Sequence, residues 1–417
     1  MDHFDVIVVG AGPAGLLAAG RAAELGGRVL VLEKMERAGR KLLITGKGRC
    51  NITNSADVPE FLKHVYPKAR FLRNAFSRYY NEDIIRLLER YGVDITLERG
   101  GRYFPTGNKA SEVLRALLDW VRDLKVEIRC HQRVEKIIVE DGTVRGVQAN
   151  GQNVLASHVV LATGGKSYPA TGSNGEGYEL AKQAGHTVET PRPALVPLET
   201  AGNTAQKLQG LSLKNVRVSV WVNDKNAEEA FGEMIFTHYG VSGPIILTLS
   251  RFVVAELHRK NKVELTIDLK PALDEQKLDK RLLRDLDEYG KKKIGNIFRF
   301  WLPSGMIPVF MELLELDPEK AGHQVSSKER KKIRYLLKNF RLSVSGHRSF
   351  KEAIITAGGI PTTEISAKTM ESKLVKGLFF AGEIIDLDAE TGGYNLQIAY
   401  STGWLAGEAC MQQKNMP

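Results

Sequence analysis

Apolar residues run almost unbroken from Phe4 to Val9, the pattern of a parallel strand buried on both faces. After the turn GAGPAG, residues 14–25 are rich in Ala and Leu and predict a helix, with Gly26-Gly27 at its C-cap. A second apolar run, Val29 to Leu32, stops at Glu33. Helical spacing returns across 60–125, in EDIIRLLERYG and ASEVLRALLDWVRDL, with the turn-rich aromatic loop ERGGRYFPTGNKA between them. RVEKIIVE, TVRGVQA and NVLASHVVLATGG predict a β-meander, turning at Asp141-Gly142 and Asn150-Gly151. Three prolines in PRPALVPLE (191–199) mark a boundary. From there to about residue 270 the pattern is strand-like (NVRVSVWV, EMIFTHYG, VELTIDL), and 273–340 reads as helical and basic. Strands resume in KEAIITAGGIP (351–361) and KGLFFAGEIID (376–386).

This order predicts an α/β chain whose first domain is discontinuous. A Rossmann-like domain takes 1–190 and 351–417, a β-rich substrate-side domain takes 191–272 and 336–350, and 273–335 is a helical insertion.

The first βαβ unit carries the chemistry. Gly10 permits the turn, Gly12 lets backbone N–H groups reach a pyrophosphate, and Gly15 lets the helix pack close to the sheet. Phosphates then sit on the positive end of that helix. Glu33 is placed to accept hydrogen bonds from a ribose diol and repels a 2′-phosphate, which argues against NADP at this site. The loop RAGRKLLITGKGRCNITN (37–54) differs from the amphipathic helix of a plain NAD domain: Arg40, Lys41 and Arg49 suit phosphate charge, and Gly46 and Gly48 let main chain lie against a flat ring. Another strand runs straight into Ala162-Thr163-Gly164, and the last runs into Gly382-Glu383. No second GxGxxG lies between a strand and a helix, so one dinucleotide site is expected.

Composition narrows the class. Hydrophobic residues make up 43% and charged residues 26%, and no apolar run reaches the ~18 residues of a spanning helix. No charged-then-apolar leader precedes Phe4, so the cytoplasm is the expected compartment and no membrane partner is expected. Three cysteines without a CxxC exclude a disulfide framework and a vicinal redox pair. Net charge is +10, and residues 251–350 carry 22 Lys/Arg against 14 Asp/Glu. A solvated helical face is the expectation for that stretch, since no aromatic interleaving or nucleic-acid motif accompanies it; neither nucleic acid nor a metal is an expected partner.

Taken in order, GAGPAG with Glu33, KLLITGKGRCNITN, ATGGKSYPATGSNGEGYELAKQAGH, GEMIFTHYGVSGPIIL, TAGGI and KTMESKLVKGLFFAGEIIDLDAETGGYNLQIAYSTGWLAG resemble one bacterial flavoprotein family. It is described as the NAD(FAD)-utilising dehydrogenases or the aminoacetone oxidase family. The resemblance covers nearly the whole chain and is least marked across 270–340. It implies FAD in a glutathione-reductase-like Rossmann domain, interrupted by a β-barrel-like domain bearing a small helical one. It also implies that the final glycine pair contacts the isoalloxazine, with the last helix aiming its N-terminus at the pyrimidine edge. No histidine stands in a covalent-flavin context, so the FAD is expected to be non-covalent.

The expected cofactor contacts are therefore Gly10, Gly12, Pro13, Ala14, Gly15, Glu33 and Lys34; Arg40, Lys41, Gly46, Gly48, Arg49, Cys50 and Asn51; Val134, Ala162, Thr163 and Gly164; Gly382 and Glu383; and Gly393, Tyr394, Asn395 and Leu396. Candidate acid–base residues are His238 and Tyr239 in FTHYGVSGP. The expected function is an FAD-dependent oxidoreductase that transfers hydride to or from a small organic substrate, with NAD(P)H as a transient co-substrate left open. Members of the family have been linked to oxidation of amino-ketones and to reduction of enone-type rings, and the residues do not choose between them. A tRNA-modifying flavoprotein and a non-catalytic flavin-binding protein stand as alternatives. The lack of a C-terminal helical appendix speaks against the first.

Overall fold

The computed structural model describes residues 3–414. It divides into two compact units, Met1–Pro193 with Phe350–Pro417, and Ala194–Ser349. Each has its own apolar core. Among the described residues no helix is long and apolar enough to cross a membrane.

In the first unit His3–Val9 lies between Val29–Leu32 and Gln152–Leu161, parallel to both. Leu378–Phe380 adds in parallel to the end of Gln152–Leu161, and Glu127–Arg129 adds beyond Val29–Leu32. The antiparallel strands Thr143–Ala149 and Val134–Glu140 complete seven. Val29–Leu32 and Leu378–Phe380 are buried at every residue, which is why they read as unbroken apolar runs. Two helices pack on each other: Gly403 and Gly407 of the last helix, Tyr394–Lys414, lie so close to Pro13–Glu24 that an added Cβ would stand 2.2 Å from the Ala14 and Ala18 carbonyl oxygens.

One local expectation fails here. The loop ERGGRYFPTGNKA is largely a hairpin, Ile95–Glu98 with Arg102–Pro105, and Thr53–Asn54 pairs as its third strand. The chain reverses at Gly100-Gly101, both in the left-handed region.

The second unit is built on a closed six-stranded barrel: Leu198–Thr200, Gly240–Ser242, Lys225–Phe236, Ser212–Val222, Val263–Asp268 and Phe340–His347 in spatial order. Within the stretch expected to be all strand, Pro244–His258 is a helix. Its Ile, Val and Leu content suits either state, but the buried positions Ile245, Ile246, Leu249 and Val253 recur at helical spacing behind a proline at the first turn. The helices Glu275–Glu288, Ile307–Leu314 and Ser327–Lys338 share one apolar core with the barrel.

Candidate cofactor-binding and active site

The parallel strands end side by side, with Val9 opposite both Leu32 and Leu161, and Leu161 opposite Phe380. Backbone bonds continue the row: Gly10 N–H donates to Leu32 O (2.8 Å), Ala162 N–H to Val9 O (2.9 Å) and Ala381 N–H to Leu161 O (3.0 Å). Gly10, Glu33, Ala162 and Gly382 are thus brought to one edge, the carboxyl end of the sheet, where open α/β folds bind ligands.

Gly15 and Gly12 differ in what they allow. A Cβ on Gly15 would stand 1.9 Å from Gly10 O, so helix and loop can meet only at a glycine. Gly12 has an ordinary φ of −81°, and a Cβ there would meet nothing within 4 Å. The chain's own packing does not ask for glycine at Gly12; an approaching ligand would. Pro13 opens the helix, Ala14 is buried, and the N–H groups of the first turn have no intrahelical acceptor. Thr163 Oγ1 is buried with no hydrogen-bond partner, at the end of a strand on this edge. Open backbone at a helix N-terminus, an orphaned hydroxyl and an acid at the second strand's end together fit a dinucleotide. Glu33 Oε2 accepts from Ala11 N–H and Oε1 from Met35 N–H, both at 2.9 Å, which fixes the carboxylate and leaves each oxygen a lone pair for a diol.

The four cations expected to meet the cofactor are engaged by carboxylates. Arg40 pairs with Glu36 (2.5 Å) and Arg49 with Glu98, while Arg49 also lies over Phe104 at 4.2 Å. Lys41 Nζ meets Glu383 Oε2 (2.5 Å) and Ser167 Oγ (2.6 Å). Glu383 Oε1 in turn accepts from Ser167 Oγ (2.7 Å) and Thr356 N–H (2.9 Å). Lys34 Nζ bonds Asn174 Oδ1 (2.7 Å) and Glu176 Oε2 (2.9 Å). Of the expected contacts, the backbone N–H groups at the helix N-terminus are the ones open to phosphate charge without such competition. Gly46 and Gly48 lie in the short turn Thr45–Gly48, and Val134 is buried at its strand's first residue. Gly164 follows Thr163 in the left-handed region.

At the other end of the chain the glycine pair is held from within. Gly393 has φ +95°, and a Cβ on it would stand 2.5 Å from the Thr53 carbonyl group. Asn51 spans this contact, its amide oxygen accepting from Gly393 N–H (3.0 Å) and its nitrogen donating to Thr53 O (3.2 Å). Asn54 Nδ2 donates to Gly392 O (3.0 Å). A buried chain runs from Thr53 Oγ1 to Gln397 Oε1 (2.6 Å), from Gln397 Nε2 to Ser401 Oγ (2.9 Å), and from Ser401 Oγ to Tyr79 O (2.7 Å). Asn395 binds back to Ala389, and Leu396 packs partly buried on the core. Cys50 is fully buried, and burial pushes its thiol up to about 12, which leaves it no thiolate chemistry near neutral pH.

Two further features stand out, neither of them among the expected contacts. His64 Nδ1 lies 2.9 Å from Glu390 Oε2, and its ring stacks on Tyr394 at 4.7 Å. Glu390 also accepts from Tyr66 OH (3.1 Å), and the hydrogen bond with Glu390 raises His64 above the ordinary imidazole value. No motif marks His64; only the pairing of Val65–Tyr66 with Asp388–Ala389 brings it to Glu390. The loop Gly172–Gly177 is the second. Gly177 leaves room for Thr163 Oγ1, and an open polar cleft of about 280 Å³ is lined there by Lys166, Asn174, Glu176, Tyr178 and Lys182.

His238 and Tyr239 belong to the second unit. His238 is exposed, and its ring meets Tyr239 edge-on at 4.7 Å. The Arg348 guanidinium lies over the Tyr239 ring at 4.6 Å and donates to Glu199 (2.9 Å).

Comparison with known proteins gives three findings. The model of the family described as HI0933-like protein Rossmann domain matches residues 4–409. A 3-dehydro-bile acid delta(4,6)-reductase of Clostridium scindens is 31% identical over 409 residues, 97% of this chain and 98% of its own, and a ribosomal RNA dihydrouridine synthase of Escherichia coli is 29% identical over 415 residues, 100% of each. Among solved structures, a 3-ketosteroid delta1-dehydrogenase from Sterolibacterium denitrificans has a TM-score of 0.51 at 14% identity, over 99% of this chain and 100% of that one, a likeness of fold.

Proposed function

This chain belongs to the HI0933-like Rossmann family, a family of FAD-dependent oxidoreductases, and on that premise we propose that it reduces a carbon–carbon double bond conjugated to a carbonyl, in a uracil base of RNA. The observation that carries the reading is the pair of full-length relatives. Their names differ in substrate but share a bond type. A delta(4,6) diene beside a 3-oxo group is conjugated to it, and dihydrouridine is uridine saturated at the C5–C6 bond conjugated to the C4 carbonyl. In both, hydride adds at the carbon remote from the carbonyl and a proton at the nearer one.

Bound FAD supplies the hydride. The chain's own residues do the rest. The Gly12 backbone and the first-turn N–H groups would bind the pyrophosphate, and Glu33 would take the ribose diol. Residues 393–396, at the N-terminal end of the last helix, would receive the ring. Either Tyr239, held under Arg348, or His238 beside it is the proton donor in our assignment, both being residues of the second unit. NADH or NADPH is the reductant that the reading requires to come and go.

The excess of 22 Lys/Arg over 14 Asp/Glu in 251–350 favours the polyanionic substrate over a free one. The bile-acid relative favours the second reading, a small steroid-like enone. One experiment tests both. FAD-loaded protein is reduced anaerobically with NADH or NADPH and mixed either with ribosomal RNA, followed by mass spectrometry of the nucleosides, or with a 3-oxo-Δ4 steroid, followed by flavin reoxidation. Dihydrouridine in the RNA supports the proposal, and reoxidation by the steroid alone selects the second reading. If neither product forms, the proposed reaction itself is overturned.

A further inference from the structure

The helix Ser327–Lys338 spends its charges unevenly. Its inner side holds Ile333 and Leu337, both fully buried. Arg330 turns to Asp279 (3.2 Å), and Arg334 to Asp279 (3.3 Å) and Glu275 (3.5 Å) on the neighbouring helix. Glu329 is drawn back to cap the helix at Ser326 and to hold Lys320 at 2.7 Å. What remains outward is Lys328, Lys331, Lys332 and Tyr335, at i, i+3, i+4 and i+7, all exposed, Tyr335 by 60%. Among the described residues no carboxylate pairs with any of the three lysines. Like charges at i+3 and i+4 repel, and a face that serves only solubility interleaves acids with them. The same unit repeats the combination at Phe300, 44% exposed and stacked on Tyr289 at 4.8 Å, with Lys292 at 4.5 Å from the Tyr289 ring.

We infer that the outward stripe of this helix, Lys328, Lys331, Lys332 and Tyr335, is a docking surface for single-stranded RNA. The lysines meet successive phosphates, and Tyr335 offers its ring to an unstacked base. A lipid surface would need Leu, Phe or Trp on the stripe, and there is none. An acidic protein would use the lysines but leave an exposed aromatic face without purpose. The inference rests on the proposed RNA substrate and says where the chain holds RNA away from the reacting base.

The test uses the FAD-loaded full chain and a fluorescein-labelled single-stranded fragment of ribosomal RNA, titrated by anisotropy across a salt series. Replacing the three lysines together, Lys328→Gln, Lys331→Gln and Lys332→Gln, is expected to reduce the slope of log affinity against log salt by about 2, at ~0.7 per phosphate contact on a single strand. Tyr335→Ala is expected to weaken binding about tenfold with the slope unchanged, and Tyr335→Phe to restore it, since stacking needs the ring and not the hydroxyl. All four side chains are exposed, so the flavin spectrum and reoxidation by a small enone should match the parent protein. An unchanged slope in the triple variant, while the parent binds RNA, overturns the location and leaves the proposed reaction standing. Binding of poly-glutamate as tight as that of RNA and insensitive to Tyr335→Ala would also overturn it, leaving a face for polyanions at large. No binding by the parent chain would defeat the inference together with the RNA reading, while enone turnover would still report on the reductase.

Discussion

At Gly15 an added methyl would stand 1.9 Å from a carbonyl oxygen of the same loop, whereas at Gly12 it would meet nothing within 4 Å. The two glycines should therefore fail differently. Gly15→Ala forces the helix off the sheet and should lower stability by about 1–3 kcal/mol, as overpacking does, in urea unfolding with or without FAD. Gly12→Ser puts a preferred N-cap residue in place and should leave the FAD-free protein as stable as before or slightly more so. It should weaken FAD by about tenfold or more, near 1.4 kcal/mol, in a flavin-fluorescence titration. Undiminished FAD binding by Gly12→Ser would mean that no ligand closes on that glycine. In the sequence the two belong to a single motif, which is legible because all its parts are local. Gly393 was legible as a close approach but not as to what approaches. Its partner in the chain is the backbone of Thr53, and no spacing rule joins residues so far apart.

Elements bring together what motifs cannot. His64 closes the short helix Val58–Lys63 and leads into Val65–Tyr66, whose pairing with Asp388–Ala389 sets it against Glu390. Glu390 and, at 3.7 Å, Glu60 are the acids that face it, and Tyr66 and Tyr394 complete its surroundings. Its folded value is raised, so the charged ring is the stabilising form. That contribution is fully present below the unfolded value of about 6.5 and fades as pH climbs through the raised folded value. His64→Gln should therefore lower the urea midpoint most near pH 6 and least near pH 9; a difference that does not shrink as pH rises would show that the ring acts by packing on Tyr394 alone. The strands of the parallel sheet were plain in the sequence because burial on both faces leaves them continuously apolar. Pro244–His258 was not, because an equally apolar, branched run fits a buried helix, and only the barrel around it decides. The hairpin at Gly100-Gly101 is illegible for the opposite reason: its strands are four residues each and partly exposed, too short to show a period.

Over the whole molecule, the two units contribute to the proposed reaction unequally, and so does what their sequences disclose. The residues to which we assign cofactor recognition all lie in the first unit, where the assignment rests on backbone geometry that glycines announce. Substrate recognition has no such vocabulary. The basic stretch of the second unit reads as a solvated face from sequence alone, and only its ion pairs show which lysines, among the described residues, are left without a carboxylate for the proposed RNA to meet. The same asymmetry should divide the kinetics. The proposed reaction assigns flavin reduction to groups of the first unit and protonation of the substrate to Tyr239 or His238 of the second. Tyr239→Phe and His238→Gln should then leave the rate of flavin bleaching by NAD(P)H near that of the parent. Whichever residue delivers the proton should slow reoxidation by the unsaturated substrate about 10²–10⁴-fold, the usual worth of a positioned acid. Stopped-flow measurement of the two half-reactions separates these effects. A variant that slows both equally has lost flavin geometry rather than a proton, and reoxidation at the parent rate in both variants would return the search for the acid to the first unit, where His64 is the titratable ring beside the final glycine turn.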